Sequence, residues 1–380
     1  MEKNSYEQKR RYDLDWIRVL ATLVVFLYHC SMFFNPFPWH IKNSELNSSW
    51  VLVFSLFVGS WIMPIFFVIS GISMVYALRK RKLLTFIKER FVRLGVPLIM
   101  GVLLLTPPQI YIERIVNNQF KGDFLGFYPH FFDGVYLDFG GTGNFAFFGL
   151  HLWYLLVLLL FSLLCLPLFK KFPSFKKVGT IHFLTPPLLL FLAGVVNTQK
   201  LGGWDLFIYL LLFIYGFYFF SSPTFVLTNK RLIKYSILVA VASTLIYIVW
   251  FMNHYPQHGS IESTIFYGIR TLNCWSLLLI IFYLANKFLS HNSHFLQYGS
   301  EASMPFYVIH QPVIVIVGYF IHDLNWAIPV KLLILIGISF AFNILIYHFV
   351  IRHLSVTRII FGLKSKETKQ VGDTEKLSIR

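Results

Sequence analysis

Residues 15–30 read Asp15-Trp16-Ile17-Arg18-Val19-Leu20-Ala21-Thr22-Leu23-Val24-Val25-Phe26-Leu27-Tyr28-His29-Cys30. This is an apolar run with an Asp-Arg pair at its start and a histidine near its end. Extended to residue 34, it approaches the ~20 residues that span a bilayer as a helix. Eleven residues of helix turn His29 back to within about 20° of Arg18, about 16 Å further along the axis. Asp15, three before Arg18, joins the same stripe. Charged groups in a bilayer are costly unless they face a protein interior or a water-filled cavity. The stripe therefore predicts a polar seam from the cytoplasmic mouth toward mid-membrane. The bland reading pairs Asp15 with Arg18 and leaves His29 as a packing residue. A histidine can also take a proton from a hydroxyl and return it.

The rest of the chain fits a membrane class. Charged residues make up 13% of the 380, about half the usual share for a soluble protein. Aromatics reach 19% and hydrophobic residues 56%, more apolar surface than so few charges could cover in water. Global disorder, a disulfide scaffold and a coiled coil are excluded. The net charge of +16 would suggest nucleic acid in a soluble protein, but the basic residues lie in blocks between apolar runs, as topology signals do. Cys30, Cys165 and Cys274 are far apart with no CxxC pair, so neither a disulfide nor a zinc site is expected.

About ten apolar segments are long enough to span a bilayer: 16–34, 50–78, 94–115, 149–169, 180–196, 204–222, 235–252, 263–285, 302–322 and 330–350. Arg18 and the Pro36-Phe37-Pro38-Trp39 stretch make the first a span rather than a cleavable signal peptide. One side of this arrangement carries only Lys42, Arg114, Lys121, Lys200 and Lys331 in its loops. The excess on the other side places both termini in the cytoplasm. The expected fold is thus all-α and polytopic, with a transmembrane domain over 1–363 and a disordered cytoplasmic tail over 364–380. In the long outer segment 116–148, Phe120, Phe124, Phe127, Tyr128, Phe131, Phe132 and Tyr136 mix with Asp123, Asp133 and Asp138. That pattern suits either a carbohydrate face or an interfacial aromatic belt.

Further candidates lie along the spans. Arg90 and Arg93, beside Lys88 and before Pro97, share a helix face at the cytoplasmic mouth, where two guanidiniums clamp phosphates or simply set topology. Phe66-Phe67-Val68-Ile69-Ser70-Gly71 ends on a hydroxyl and on a glycine that permits close helix approach. His151-Leu152-Trp153-Tyr154 opens the fourth span. Ser303, Tyr307 and His310 share a face of the ninth, and Arg270 lies within the eighth. A buried cation needs a partner, which a substrate anion could supply. No phosphate-binding glycine loop, HExxH or GxSxG is present, so any chemistry falls to these intramembrane groups.

Together these residues resemble the acyltransferase 3 family of membrane acyltransferases. The resemblance rests on Asp15-x-x-Arg18 with His29 after ten intervening residues, Phe66 to Gly71, Arg90-x-x-Arg93 before Pro97, His151-Leu152-Trp153-Tyr154-Leu155-Leu156 and Tyr307-Val308-Ile309-His310. It covers nearly the whole chain. Trp39-His40 followed by Ser44-Glu45 looks like the periplasmic-glucan succinyltransferase branch. The family implies acyl transfer from cytoplasmic acyl-CoA, acetyl or succinyl, to a glycan hydroxyl at or beyond the outer face of the bacterial inner membrane, without a metal. It implies His29 as base or transient acyl carrier and Arg18 with Asp15 orienting the donor. Arg90, Arg93, Lys88 and Ser70 would hold CoA. His40, Glu45, His151, Trp153, Arg270, Tyr307 and His310 would contact substrate. The rival reading is a proton-coupled transporter, whose paths also carry intramembrane Arg and His; the chain lacks the repeated halves with broken helices common there.

Overall fold

The computed structural model describes residues 10–46, 48–132, 150–173, 181–196, 200–222, 230–257 and 259–365. The part of the expected tail beyond residue 365, and Asp133, Tyr136 and Asp138, lie outside them. Helices follow in the order α1 Tyr12–Met32, α2 Ser49–Gly59, α3 Ile62–Lys80, α4 Leu83–Arg90, α5 Val96–Leu104, α6 Thr106–Val116, α7 Phe124–His130 and α8 Trp153–Leu164. Then come α9 Leu166–Lys171, α10 Ile181–Val195, α11 Leu206–Tyr215, α12 Lys230–Asn253, α13 Ile261–Phe288, α14 His294–Ile321, α15 Ile328–Leu345 and α16 Ser355–Ile360. A two-residue hairpin pairs Lys200–Leu201 with Trp204–Asp205.

Among the described residues, seven helical stretches are long and apolar enough to cross a membrane, so the protein is a polytopic helical membrane protein. Where spans 149–169, 180–196 and 204–222 are expected, the described residues form apolar helical stretches of 10–17 residues, Leu150–Leu164, Thr185–Val195 and Leu206–Phe220. Pro167 lies just past the end of α8, Pro186 and Pro187 lie inside α10, and a π turn at Gly216–Phe220 continues α11.

Two close approaches set the frame of the site. At the crossing of α3 and α11, a Cβ on Gly71 would lie 2.0 Å from the Phe213 carbonyl oxygen, and one on Gly216 would lie 2.2 Å from that of Val68. Only glycine permits this spacing, the usual device of membrane helix packing. On α13, Asn273 accepts from Ser60 Oγ at 2.8 Å and donates to Thr244 Oγ1 at 2.5 Å, tying α13 to α12 and to the α2–α3 corner. Helix α1 packs against α14, α13, α2, α3 and α15, so its polar stripe faces protein. Cys30, Cys165 and Cys274 are buried and unpaired.

Candidate active site

Two cavities open at opposite ends of α1. The first, of about 620 Å³, is lined by Arg10, Arg11, Arg18, Lys80, Arg81, Arg90 and Arg93, against Asp15 and Glu89 as the carboxylates. Asp15 bridges Arg10 at 2.8 Å and Arg18 at 3.3 Å, and Glu89 takes Arg81 at 3.0 Å. Arg90 lies 5.0 Å over the Phe86 ring and touches Met74 Sδ. Among the described residues neither Arg90 nor Arg93 has a carboxylate within ion-pair distance. Arg93 sits in a π turn, Phe91–Gly95, immediately before Pro97. Pro97 has no N–H for the Arg93 carbonyl, and π turns gather at functional sites. The result is a basic chamber with two guanidiniums free for an anion.

The second cavity, of about 610 Å³, is lined by Tyr28, His29, Trp39, His40, Lys42, Glu113, His151, Trp153, Lys200 and Gln311 among others. A thin layer separates the two. Tyr154 and Tyr307 face the basic chamber, their rings 5.9 Å apart edge to face. The Tyr154 and Ser70 hydroxyls bond at 2.7 Å, and the Tyr307 hydroxyl donates to the His151 carbonyl across the layer.

Four histidines meet on the far side. His29 Nδ1 lies 2.6 Å from His310 Nε2, and His310 Nδ1 lies 2.7 Å from the Tyr307 carbonyl. Trp39 stacks on the His29 ring at 5.2 Å. His40 Nδ1 donates to Glu113 at 2.6 Å, while Gln311 Nε2 donates to His40 Nε2 at 3.1 Å and to Gln109 at 3.0 Å. His151 Nε2 donates to the Val308 carbonyl at 3.1 Å. The sequence explains that last acceptor. In a regular helix the Val308 carbonyl would receive the N–H of residue 312, and residue 312 is a proline, so a neighbouring helix re-satisfies it. Leu150, just before His151, holds a left-handed φ of 51°, a strain found where side chains must be aimed.

The expected site residues separate into groups. Asp15, Arg18, Ser70, Arg90, Arg93 and Tyr307 line the basic chamber. His29, His40, His151 and Trp153 line the other, and His310 stands behind His29 at 1% exposure. Lys88 and Glu45 are exposed and line neither cavity; the Glu45 backbone carbonyl accepts from Asn43. Arg270 also lies outside both: its guanidinium donates to the Gly203 carbonyl at 2.7 Å and covers the Trp204 ring at 4.0 Å. Phe120, Phe127 and Phe131 pack with Ile110 and Leu150 and line neither cavity. Glu113 and Gln311 have no place in the sequence reading, and Lys42 enters it only as a loop charge. For Glu113 a signal existed, since it falls inside span 94–115 and a carboxylate there is rare. Among the described residues no group of side chains could hold a metal.

The molecule is thus a helical membrane protein in which a basic chamber backs onto a histidine-lined one. The family profile described as an acyltransferase domain matches residues 11–348. The chain belongs to this family, the acyltransferase 3 membrane acyltransferases. Among its relatives, glucans biosynthesis protein C of Shigella dysenteriae serotype 1 (strain Sd197) is 24% identical over 343 residues, covering 84% of this chain and 86% of the relative. The protein of the same name from Escherichia coli (strain K12) matches to the same extent. No solved structure matches significantly.

Proposed function

We propose that the protein is an integral O-acyltransferase of the bacterial inner membrane. It moves an acetyl or succinyl group from cytoplasmic acyl-CoA to a hydroxyl of a periplasmic or cell-surface glycan. The domain is 1–363, with ten spans and both termini cytoplasmic. The observation that carries this reading is the position of His29, at the layer between a basic chamber and a second chamber rich in aromatic and hydrogen-bonding groups. The basic chamber, on the side of the N-terminus, faces the cytoplasm and receives CoA, whose phosphates meet Arg90 and Arg93. Arg18, partly neutralised by Asp15, meets the donor deeper in the chamber, and the thioester reaches the layer at Ser70, Tyr154 and Tyr307.

The other chamber takes the glycan. Trp39, Tyr28 and Trp153 offer ring faces, and His40 with Glu113 offers polar contacts. The glucan relatives support a glucan acceptor. His29 removes the acceptor hydroxyl proton; the oxygen attacks the thioester carbonyl; the tetrahedral intermediate collapses with cleavage of the C–S bond; and His29 returns the proton to the departing thiolate. No metal is needed for that balance.

The test is purified protein in liposomes with isotopically labelled acetyl- or succinyl-CoA inside and a gluco-oligosaccharide outside. Labelled ester on the oligosaccharide is expected. Movement of a solute across the membrane with no ester formed would replace this reading with transport.

A further inference from the structure

The hydrogen-bond chain behind His29 goes further than naming a base, though it rests on the acyl-transfer reading. Its far end is a backbone carbonyl, which can only accept. His310 Nδ1, 2.7 Å from the Tyr307 oxygen, must therefore carry a proton. In a neutral imidazole the other nitrogen is then an acceptor. That nitrogen, His310 Nε2, faces His29 Nδ1 at 2.6 Å, so the His29 proton sits on Nδ1. The lone pair of His29 is left on Nε2, on the ring that is partly exposed to the glycan chamber.

We infer that His310 is the positioning residue of the reaction, holding His29 in the single tautomer and orientation that present Nε2 as the base. It touches no substrate: at 1% exposure it is sealed behind His29, between Phe306, Tyr307 and the edge of His151. The arrangement is that of a base oriented by a third group, with a histidine tied to a helix carbonyl in place of a carboxylate. When His29 gains the hydroxyl proton, its Nδ1–H bond to His310 strengthens, because the donor is now charged. The relay therefore favours the protonated state formed during attack more than the resting state. The chain depends on α14 being opened near its middle. Pro312 leaves the Val308 carbonyl to His151, and the adjacent Tyr307 carbonyl bonds the His310 ring, so one turn of α14 orients both rings.

The experiment compares His310→Leu, which cannot accept, with His310→Gln, whose amide oxygen can, in full-length protein. For His310→Leu, kcat should fall by about 10²–10⁴-fold, with acyl-CoA KM and binding within about twofold of wild type; His310→Gln should recover at least tenfold of that loss. Histidine ¹⁵N spectra of the wild-type protein should show His29 protonated at Nδ1 and bare at Nε2. A kcat near wild type in a His310→Leu protein that still binds acyl-CoA overturns the inference, as does a wild-type His29 protonated at Nε2. Absence of acyl transfer by wild type would defeat the transfer reading instead, and the spectra would still decide the relay.

Discussion

Arg18 and His29 stand on one face of α1, yet they open into different cavities: Arg18 into the basic chamber, His29 into the histidine-lined one. On the proposed reading one helix carries a donor-side and an acceptor-side group, with the Tyr154–Tyr307 layer between them. Their substitutions should separate cleanly. Arg18→Gln should weaken acyl-CoA binding roughly tenfold, about 1.4 kcal/mol, with acceptor KM unchanged. His29→Ala should abolish ester formation while leaving acyl-CoA affinity as it was. Titration calorimetry with acyl-CoA, beside an ester assay, reads both; normal acylation by His29→Ala would remove the mechanism.

Among the described residues Arg90 and Arg93 have no carboxylate partner, so their loss strands no described acid. Replacing both with alanine should weaken CoA binding by about 1.5–3 kcal/mol for each charged hydrogen bond lost, and raised salt should mimic the change in wild type. Equal CoA affinity for variant and wild type would reduce these arginines to topology signals.

Pro312→Ala gives stability and activity opposite signs. Alanine restores an N–H to the Val308 carbonyl and regularises α14, favoured by up to about 3 kcal/mol of helix propensity. His151 Nε2 then loses the Val308 carbonyl as its acceptor. Thermal stability in detergent should hold or rise while turnover falls about tenfold. Unchanged turnover would mean that His151 needs no anchor.

Lys42, in the connection between α1 and α2, donates to the Met32 carbonyl at 2.6 Å and to that of Asn35 at 2.8 Å. Burial nevertheless pushes its ammonium down to about 7. Between that value and the ordinary lysine value near 10.5, the unfolded chain holds the proton that the folded chain has released. Stability should therefore rise with pH across this window and flatten below it. Melting temperatures from pH 7 to 9.5 should climb in wild type, and Lys42→Met should lose that component of the slope; parallel slopes would place the titration elsewhere.

Arg270 has a backbone carbonyl and an indole face as partners and lines neither chamber. Arg270→Gln should cost stability, about 1–3 kcal/mol for the bond and the cation–π contact. The ratio of succinyl to acetyl transfer in a competition assay should not move. A shift toward acetyl would return Arg270 to the acyl site.

The sequence by itself determined the membrane class, most helix positions, the Asp15–Arg18–His29 stripe, the pairing of Arg90 with Arg93 and the close approach at Gly71. Each follows from local rules: bilayer thickness sets the length of an apolar run, and a 3.6-residue period sets which neighbours share a face. Tertiary structure alone decided that the stripe crosses from one chamber to another, that Glu113 and Gln311 hold His40, that Arg270 caps a hairpin, and that Lys88 and Glu45 stay outside. His29 and His310 lie 281 residues apart, and His151 lies 157 from the carbonyl it bonds. No helical period reaches that far. Which lone pair faces the cavity is set by how α14 packs against α1, and a proline on α14 leaves a carbonyl there to a histidine from another part of the chain.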